Sequence, residues 1–350
     1  EATPDSITVT FDSTLPTTEG TLLDDETWSG PAPIVLTGDV MVPAGTTLTI
    51  DPGTEIRVQP LADNSRGGVD PSRIELIVEG TLNLLGTAMS PVLFTSDRTP
   101  DPLPGDWYGI RLTDTADSTF TLHDLIVEFA VRGIWGYPGS HQDVVGCVVR
   151  DMTEDGIYLE YGNGVRDGLD PGLLVAGNTV ERTGATDFGI RVYRSGSHAS
   201  WNDGLLVVDG NTTDDTGNYG IYAYAGNTDR TEATGNLISN TGTGLYVRGS
   251  SYASYPNGAL ITGNQIDSAS SYGIYAHSGR SVLIDGNQVT GGGGGIYTYL
   301  VVDGRVANNV LNGGTSFGIN LTSTGSSVMT AHRNTVTGYG GDGIAASNLG

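Results

Sequence analysis

A short motif, glycine followed by an aliphatic residue and usually an aromatic one, recurs along the chain at intervals of 22 to 33 residues. A repeat period in this range is typical of solenoids, in which each repeat buries its apolar side against its neighbours. The motif therefore predicts stacked coils. Its copies begin at Gly109, Gly133, Gly156, Gly189, Gly220, Gly244, Gly273, Gly295, Gly318 and Gly343.

An asparagine precedes the motif by eight to eleven residues in seven of the coils. Asparagine tolerates turn conformations and carries both a donor and an acceptor. Stacked at one position per coil, these side chains can form a buried amide ladder; ordinary turn asparagines without a ladder are the alternative. In two earlier coils Asp124 and Cys147 hold this position, and we expect Cys147 to be a buried spacer. The ladder candidates are Asn178, Asn211, Asn236, Asn264, Asn287, Asn309 and Asn334.

Short alternating runs bounded by glycine, proline, asparagine or aspartate indicate strands, and no long amphipathic helical pattern occurs. Residues 1–46 lack the motif, and we expect them to form an N-terminal cap that shields the first coil. Residues 47–350 are predicted to be one continuous set of coils. Because no polar or amphipathic cap follows the last motif, we expect further chain or a stacking partner to cover the C-terminal coil.

The combination of Gly-Asn-x-aliphatic with Gly-Ile-x-aliphatic about nine residues later resembles right-handed parallel β-helix proteins of the pectate-lyase-like superfamily. Residues 42–54 also resemble the N-terminal coil of secreted bacterial members. The resemblance implies an all-β fold, a right-handed parallel β-helix with an N-terminal cap. It implies no single activity, because the superfamily contains lyases, hydrolases, epimerases, phage tailspikes and adhesins.

The net charge of −24 argues against nucleic acid and anionic membrane surfaces as partners, because both require a basic face. No apolar run reaches 18 residues, so membrane insertion is not expected. The chain has no lysine, and its acidic, glycine-rich composition favours a secreted or cell-surface protein. We expect no cofactor and find no metal-ligand spacing, although acidic loops leave calcium binding possible.

Strand alternation places the aliphatic residues of Gly-Ile-x-aliphatic-x inside and both x residues outside. Two columns of outward side chains follow, rich in aromatic rings that suit the faces of sugar rings. The predicted substrate-binding residues are Trp135, Tyr137, Tyr158, Tyr193, Trp201, Tyr222, Tyr224, Tyr275, Tyr297 and Tyr299. Trp201 belongs to one of three insertions, within residues 161–171, 194–203 and 249–257, which can wall a groove. The insertions also contribute Arg166, Asp167, Asp170, His198, Tyr252 and Tyr255.

Charged residues interrupt the columns and are the catalytic candidates. A polysaccharide lyase needs a cation beside the uronate carboxylate, a base and an acid, and Arg191 or Arg248 with Tyr246 and His277 could supply them. A glycosidase needs two facing carboxylates. Glu160 is one candidate carboxylate, with Asp167 or Asp170 as its possible partner.

Two hypotheses about function follow. In the first, the columns bind a polysaccharide on the sheet face, and the protein is possibly a polysaccharide lyase or glycoside hydrolase. In the second, the rings stack on one another and stiffen the sheet, and the protein is a structural or adhesive surface module without catalytic activity.

Overall fold

The computed structural model describes residues 15–116, 120–138, 142–161, 173–194, 205–226, 230–249, 258–323 and 327–348. Within these ranges the chain forms strands and turns, and no helix. Successive turns of the chain lie in parallel register on one another, so that each coil contributes strands to three stacks. The protein is a parallel β-helix, as its repeat predicted.

The first stack carries the repeated motif. Motif residues pair with the same residues in the next coil, for example Ile157 with Ile190 and Ile221 with Leu245. Its strands are Gly20–Thr21, Val40–Val42, Glu75–Val78, Gly109–Leu112, Ile134–Gly136, Ile157–Tyr161, Phe188–Arg194, Tyr219–Tyr224, Gly294–Val301, Ile319–Ser323 and Ile344–Asn348, with the C-terminal parts of Leu237–Arg248 and Gln265–His277.

The second stack precedes the motif in each coil. It comprises Ile34–Leu36, Glu55–Val58, Val92–Ser96, Leu125–Glu128, Val148–Arg150, Thr179–Glu181, Thr212–Asp214, Gln288–Thr290, Val310–Gly314 and Thr335–Tyr339. The N-terminal parts of the two long strands, Leu237–Arg248 and Gln265–His277, complete it. These two strands therefore continue around a corner from one stack to the other.

The third stack lies on the remaining side. It consists of Thr121–His123, Asp143–Val145, Leu173–Ala176, Leu205–Asp209, Arg230–Thr234, Ala259–Thr262, Leu283–Asp285, Gly304–Ala307 and Met329–His332. A separate three-stranded sheet, Glu26–Trp28, Thr47–Ile50 and Thr81–Leu84, occurs in the first coils. Strands between residues 20 and 42 already pair in parallel with later coils. The predicted cap segment is therefore continuous with the stack, and the boundary at residue 46 does not mark where parallel pairing begins.

The asparagines form the predicted ladder. Nδ2 of Asn211 donates to Oδ1 of Asn236 at 3.0 Å and to the main-chain oxygen of Val175 at 2.9 Å. The same Oδ1 of Asn236 accepts the main-chain N–H of Asn211 at 3.0 Å. This pattern repeats from Asn178 to Asn334. Cys147 is buried and donates its main-chain N–H to Oδ1 of Asn178 at 2.9 Å, so its spacer role is confirmed.

The motif glycine is required by close packing between coils. A Cβ at Gly156 would lie 2.3 Å from a methyl of Val180 and 2.7 Å from the main-chain oxygen of Gly189. The next residue, Ile157, is fully buried in the core. The glycine thus allows the coils to approach, the aliphatic residue fills the interior, and the third residue faces outward.

Candidate functional site

The third residues of the motif form a column along the first stack. Trp135 pairs with Tyr158, which pairs with Arg191 in the next coil. The column continues through Tyr222, Tyr246, Tyr275 and Tyr297. Adjacent members are one coil apart, a spacing of about 4.8 Å. This predicted arrangement is present in the structure.

A second column lies two residues further along each strand. Glu160 pairs with Tyr193, and the series continues through Tyr224, Arg248, His277 and Tyr299. Tyr137 comes directly after its strand and is 51% exposed, with its ring 6.0 Å from that of Tyr158. The second column therefore places Arg248 and His277 in neighbouring coils.

A third column was missed by the sequence interpretation. It is formed by the residue before the motif glycine, and Phe188 pairs there with Tyr219, and Thr243 with Tyr272. Phe317 lies nearby, with its ring centroid 6.0 Å from that of Tyr272. The sequence signal was available, because an aromatic residue precedes the motif glycine at residues 108, 188, 219, 272 and 317. We call the outer surface of the three columns the aromatic face.

The rings on the aromatic face cover one another more than the sequence suggested. Trp135, Tyr158 and Tyr246 are only 4%, 6% and 8% exposed. Tyr222 and Tyr246 stack with centroids 4.5 Å apart and planes inclined by 2°, and Phe188 stacks on Tyr219 at 5.1 Å. Trp135 and Tyr158, both predicted to bind substrate, therefore expose little of their rings, because a coil spacing near 4.8 Å brings aromatic neighbours into contact.

Two arginines sit among the rings without an acidic partner. The guanidinium carbon of Arg191 lies 4.7 Å from the ring centre of Tyr158 and 5.0 Å from that of Phe188. The guanidinium carbon of Arg248 lies 4.7 Å from the ring centre of Tyr224. Among the described residues neither arginine forms an ion pair with a carboxylate, and the buried Nε of Arg191 has no hydrogen-bond partner there. Cation–π contacts hold both side chains in place.

The other half-buried arginines of the described chain all have carboxylate partners. The pairs are Arg57–Glu55, Arg73–Asp70, Arg98–Asp106, Arg111–Glu75, Arg132–Glu154, Arg150–Glu128 and Arg280–Asp303. Arg191 and Arg248 thus differ from these arginines, because no described carboxylate forms an ion pair with them, although the protein has more than twice as many acids as arginines.

Glu160 is held by the aromatic face itself. The hydroxyl of Tyr158 donates to Oε2 of Glu160 at 2.7 Å. Burial, followed by this hydrogen bond, raises the pKa of Tyr158 far above its ordinary value, so its hydroxyl stays protonated. Asp167 and Asp170, the expected carboxylate partners of Glu160, lie outside the described residues, so the prediction of a glycosidase pair stays a prediction.

His277 and Tyr246 have protonation states suited to opposite proton transfers. Burial, and then the neighbouring Arg248, lower the pKa of His277, which keeps its imidazole neutral at pH 7. Burial raises the pKa of Tyr246 well above that of free tyrosine, which keeps its hydroxyl protonated. The two ring centroids are 6.1 Å apart. A neutral imidazole can accept a proton, and a phenol can donate one.

Almost all residues of the three predicted insertions fall outside the described residues. This applies to Trp201 and to Arg166, Asp167, Asp170, His198, Tyr252 and Tyr255. Among the residues that the structure describes, no group of three histidine, cysteine, aspartate or glutamate side chains is arranged to hold a metal ion. In the same residues no helix long and apolar enough to cross a membrane is found.

Comparisons with known proteins agree with this architecture. A family model described as a right handed beta helix region matches residues 199–350, and one described as a pectate-lyase like beta helix domain matches residues 20–122. The chain is a right-handed parallel β-helix protein. The resemblance to the pectate-lyase-like superfamily is confirmed by these two matches, which cover both ends of this β-helix. No curated protein matches the chain.

Several solved structures resemble the β-helix at low identity. The Agl-KA catalytic domain is 14% identical over 88% of this chain, with a TM-score of 0.39. Catalytic domains of a GH87 α-1,3-glucanase in complex with nigerose and with tetrasaccharides are 16% and 14% identical over 94% and 95% of this chain, with TM-scores of 0.39 and 0.38. This chain spans 62% of the length of each of these chains. The likeness concerns the fold alone.

Proposed function

We propose that the aromatic face binds a polysaccharide that carries anionic groups. The observation that carries the proposal is the pair of guanidinium groups, Arg191 and Arg248, that lack a carboxylate partner in the described chain while every other half-buried arginine has one. Aromatic rings around each guanidinium supply apolar surface for sugar rings. Carboxylate or sulfate groups supply the charge that a guanidinium recognises.

The negative net charge of the protein limits where an anionic polysaccharide can bind. At a net charge of −24, an anionic polymer is repelled by most of the surface. Binding of such a polymer is therefore favoured only where unpaired cations are concentrated. Arg191 and Arg248 belong to adjacent columns, two coils apart, and define a positive segment within a largely aromatic face that also contains Glu160.

The experiment is a comparison of neutral and anionic polysaccharides by isothermal titration calorimetry. Anionic polysaccharides are expected to bind, more weakly as salt is raised, and Arg191→Gln or Arg248→Gln is expected to lower affinity about tenfold or more, since hydrogen bonds to charged groups contribute about 1.5–3 kcal/mol. Arg305→Gln is the control, because Arg305 is exposed and lies on the third stack. Equal binding of neutral polymers, or an equal loss in the control, contradicts the proposal.

The same segment has the groups needed for β-elimination, and we extend the proposal to this reaction. Arg248 would neutralise a uronate carboxylate, and neutral His277 would accept the proton from the carbon beside it. As the carbon–oxygen bond to the next sugar breaks and a carbon–carbon double bond forms, the Tyr246 hydroxyl would protonate the leaving oxygen.

The readout of this reaction is the ultraviolet absorbance of unsaturated products. Loss of cleavage in His277→Gln with retained binding supports the assignment; no cleavage of any bound polymer by the unmodified protein rejects it.

A structural or adhesive module is the second candidate, and the stack of Tyr222 on Tyr246 favours it. If the rings serve only to stiffen the sheet, alanine at both positions lowers stability and leaves glycan binding across a broad array unchanged. If they also bind sugar, the same substitutions reduce glycan binding under conditions in which the variant remains folded.

A further inference from the structure

Acidic residues replace the motif glycine in the first coils of the same stack. Glu75 pairs with Gly109, and the pairing of Val40 with Leu76 places Asp39 level with Glu75 one coil earlier. Asp39 is 5% exposed and Glu75 is fully buried. Burial of two neighbouring carboxylates is unfavourable unless each is compensated. The groups around Asp39 and Glu75 therefore show how far each buried carboxylate is compensated.

The partners of these carboxylates can be followed atom by atom. Oε2 of Glu75 accepts a hydrogen bond from Nε of Arg111 at 2.9 Å, and Oε1 accepts one from the main-chain N–H of Val69 at 3.3 Å. Oδ1 of Asp39 accepts the main-chain N–H of Glu75 at 2.7 Å. Oδ2 of Asp39 is buried and has no hydrogen-bond partner among the described residues. Oδ2 of Asp39 thus makes no hydrogen bond within the described structure, although Arg111 and the Gly67 N–H lie near its carboxylate.

A third carboxylate shapes the loop that closes over this oxygen. Oδ1 of Asp63 accepts the main-chain N–H groups of Asp39 and Ser65, at 3.1 and 2.9 Å, and its Oδ2 accepts that of Gly67 at 3.1 Å. Asp63 therefore holds the turn containing Gly67 against Asp39. It also adds negative charge beside Asp39, and the cation near Asp39 and Glu75 is Arg111.

Two glycines border the space in front of the carboxylates, where a Cβ would contact the carboxylate oxygens. A Cβ at Gly67 would lie 2.8 Å from Oδ2 of Asp39. A Cβ at Gly68 would lie 2.8 Å from Oε2 of Glu75 and 3.2 Å from Oδ2 of Asp39. Gly68 has a φ of +61°, which by itself favours glycine, whereas the φ of Gly67 lies outside the left-handed range. At Gly67 the lack of a side chain is explained by the carboxylate oxygen alone.

We propose that this space binds a calcium ion, coordinated by Oδ2 of Asp39 and Oε2 of Glu75 beneath the Gly67–Gly68 turn. Calcium takes six to eight oxygen ligands in irregular geometry and accepts main-chain oxygens and water among them. Two carboxylates therefore suffice as its charged ligands, and Asp63 supports the loop from behind. Glu75 also holds Arg111, whose guanidinium carbon lies 5.7 Å from the ring centre of Trp135. The ion would thus stabilise the end of the aromatic face.

The test is calcium titration of the full chain after treatment with a chelator. We expect one calcium bound per chain by isothermal titration calorimetry, and a higher melting temperature in calcium than in chelator. Asp39→Asn should abolish binding and the shift. Asp63→Asn should weaken binding about 10- to 100-fold, as is typical of residues that support metal ligands. Gly67→Ala should weaken binding because its Cβ enters the ion's space.

Glu19→Gln is the matched control, because Glu19 is an exposed acid one coil before Asp39 whose carboxylate accepts from Thr37 and Asn64. Its calcium affinity should equal that of the unmodified chain. The proposal is overturned if the unmodified chain binds no calcium, or if Asp39→Asn binds it equally well. It is also overturned if Asp39→Asn in chelator is stabilised and the unmodified chain gains nothing from calcium, which would show that a proton, not an ion, neutralises the pair.

Discussion

Tyr222 and Tyr246 stack face to face one coil apart, with ring centroids separated by 4.5 Å and planes inclined by 2°. Tyr246 also packs edge-on against Tyr275, at 5.0 Å. Each ring therefore uses part of its surface to hold its neighbour. The aromatic face contributes to the stability of the coils and, in our proposal, to ligand binding, and the two contributions need separate measurements.

Replacing Tyr246 with alanine is expected to lower the free energy of unfolding by about 3 kcal/mol, since a nearly buried ring and its stacking contacts are lost. Tyr246→Phe keeps the ring and should keep most of the stability, while removing the hydroxyl that we assign to proton donation. Urea unfolding gives the first quantity and product absorbance the second. Tyr137→Ala, at an exposed ring, is the control and should change stability by less than about 1 kcal/mol.

Replacing Asn236 with alanine is expected to destabilise the β-helix by at least about 3 kcal/mol. The substitution removes the partner that the Asn236 side chain gives to the main-chain oxygen of Val208, to the main-chain N–H of Asn211 and to one N–H of the Asn211 amide, and each unsatisfied buried group costs about 1–3 kcal/mol. Asn312→Ala, at an exposed residue whose side-chain oxygen accepts from the Thr337 hydroxyl, should change stability by less than about 1 kcal/mol. Equal losses in equilibrium unfolding would show that the ladder adds no more stability than a surface asparagine.

Asp155 is expected to make stability fall as pH rises from about 4 to about 6. Burial raises its pKa to about 6, whereas an unfolded aspartate titrates near 3.9. Between these values the folded chain binds more protons than the unfolded chain, so stability decreases with pH. Asp155→Asn retains an acceptor for the main-chain N–H of Phe188 and should remove this contribution, of order 3 kcal/mol. Unfolding at pH 4 and pH 7 measures the difference; an unchanged pH slope contradicts the assignment.

Arg248→Gln is expected to raise the pKa of His277, because Arg248 is the second cause, after burial, of its lowered value. A lowered histidine pKa means that the unfolded chain takes up the proton first, so His277 costs stability as pH falls below about 6.5. The variant should lose less stability over that range. NMR titration of the imidazole gives the pKa, and Arg305→Gln should leave it unchanged.

The glycine of the motif and the asparagine of the ladder made the fold predictable. Each has one physical role that every coil must satisfy: Gly156 fits against the next coil, and Asn211 bonds to the next asparagine. Because coils are stacked in register, a pattern read in one repeat applies to its neighbours. The order of residues in the first two columns followed from the same rule.

The burial of the aromatic face and its third column did not follow from alternation. Alternation states which side of a sheet a residue faces, but the exposure of Tyr246 depends on ring contacts with Tyr222 and Tyr275 in other coils. The hydrogen bond between Asp39 and Glu75 was equally inaccessible, because these residues are 36 positions apart and lie in coils that lack the repeated motif.

Every amide in the asparagine ladder donates one hydrogen bond to the asparagine of the next coil, from Asn178 toward Asn334. In an inserted coil with an asparagine at the same position, Oδ1 can accept from the preceding asparagine and Nδ2 can donate to the next one. The ladder then remains continuous through the inserted coil. An added repeat of this kind is expected to leave the geometry of the remaining coils unchanged and to extend the molecule by about 4.8 Å. The number of equivalent coils therefore sets the length of the β-helix.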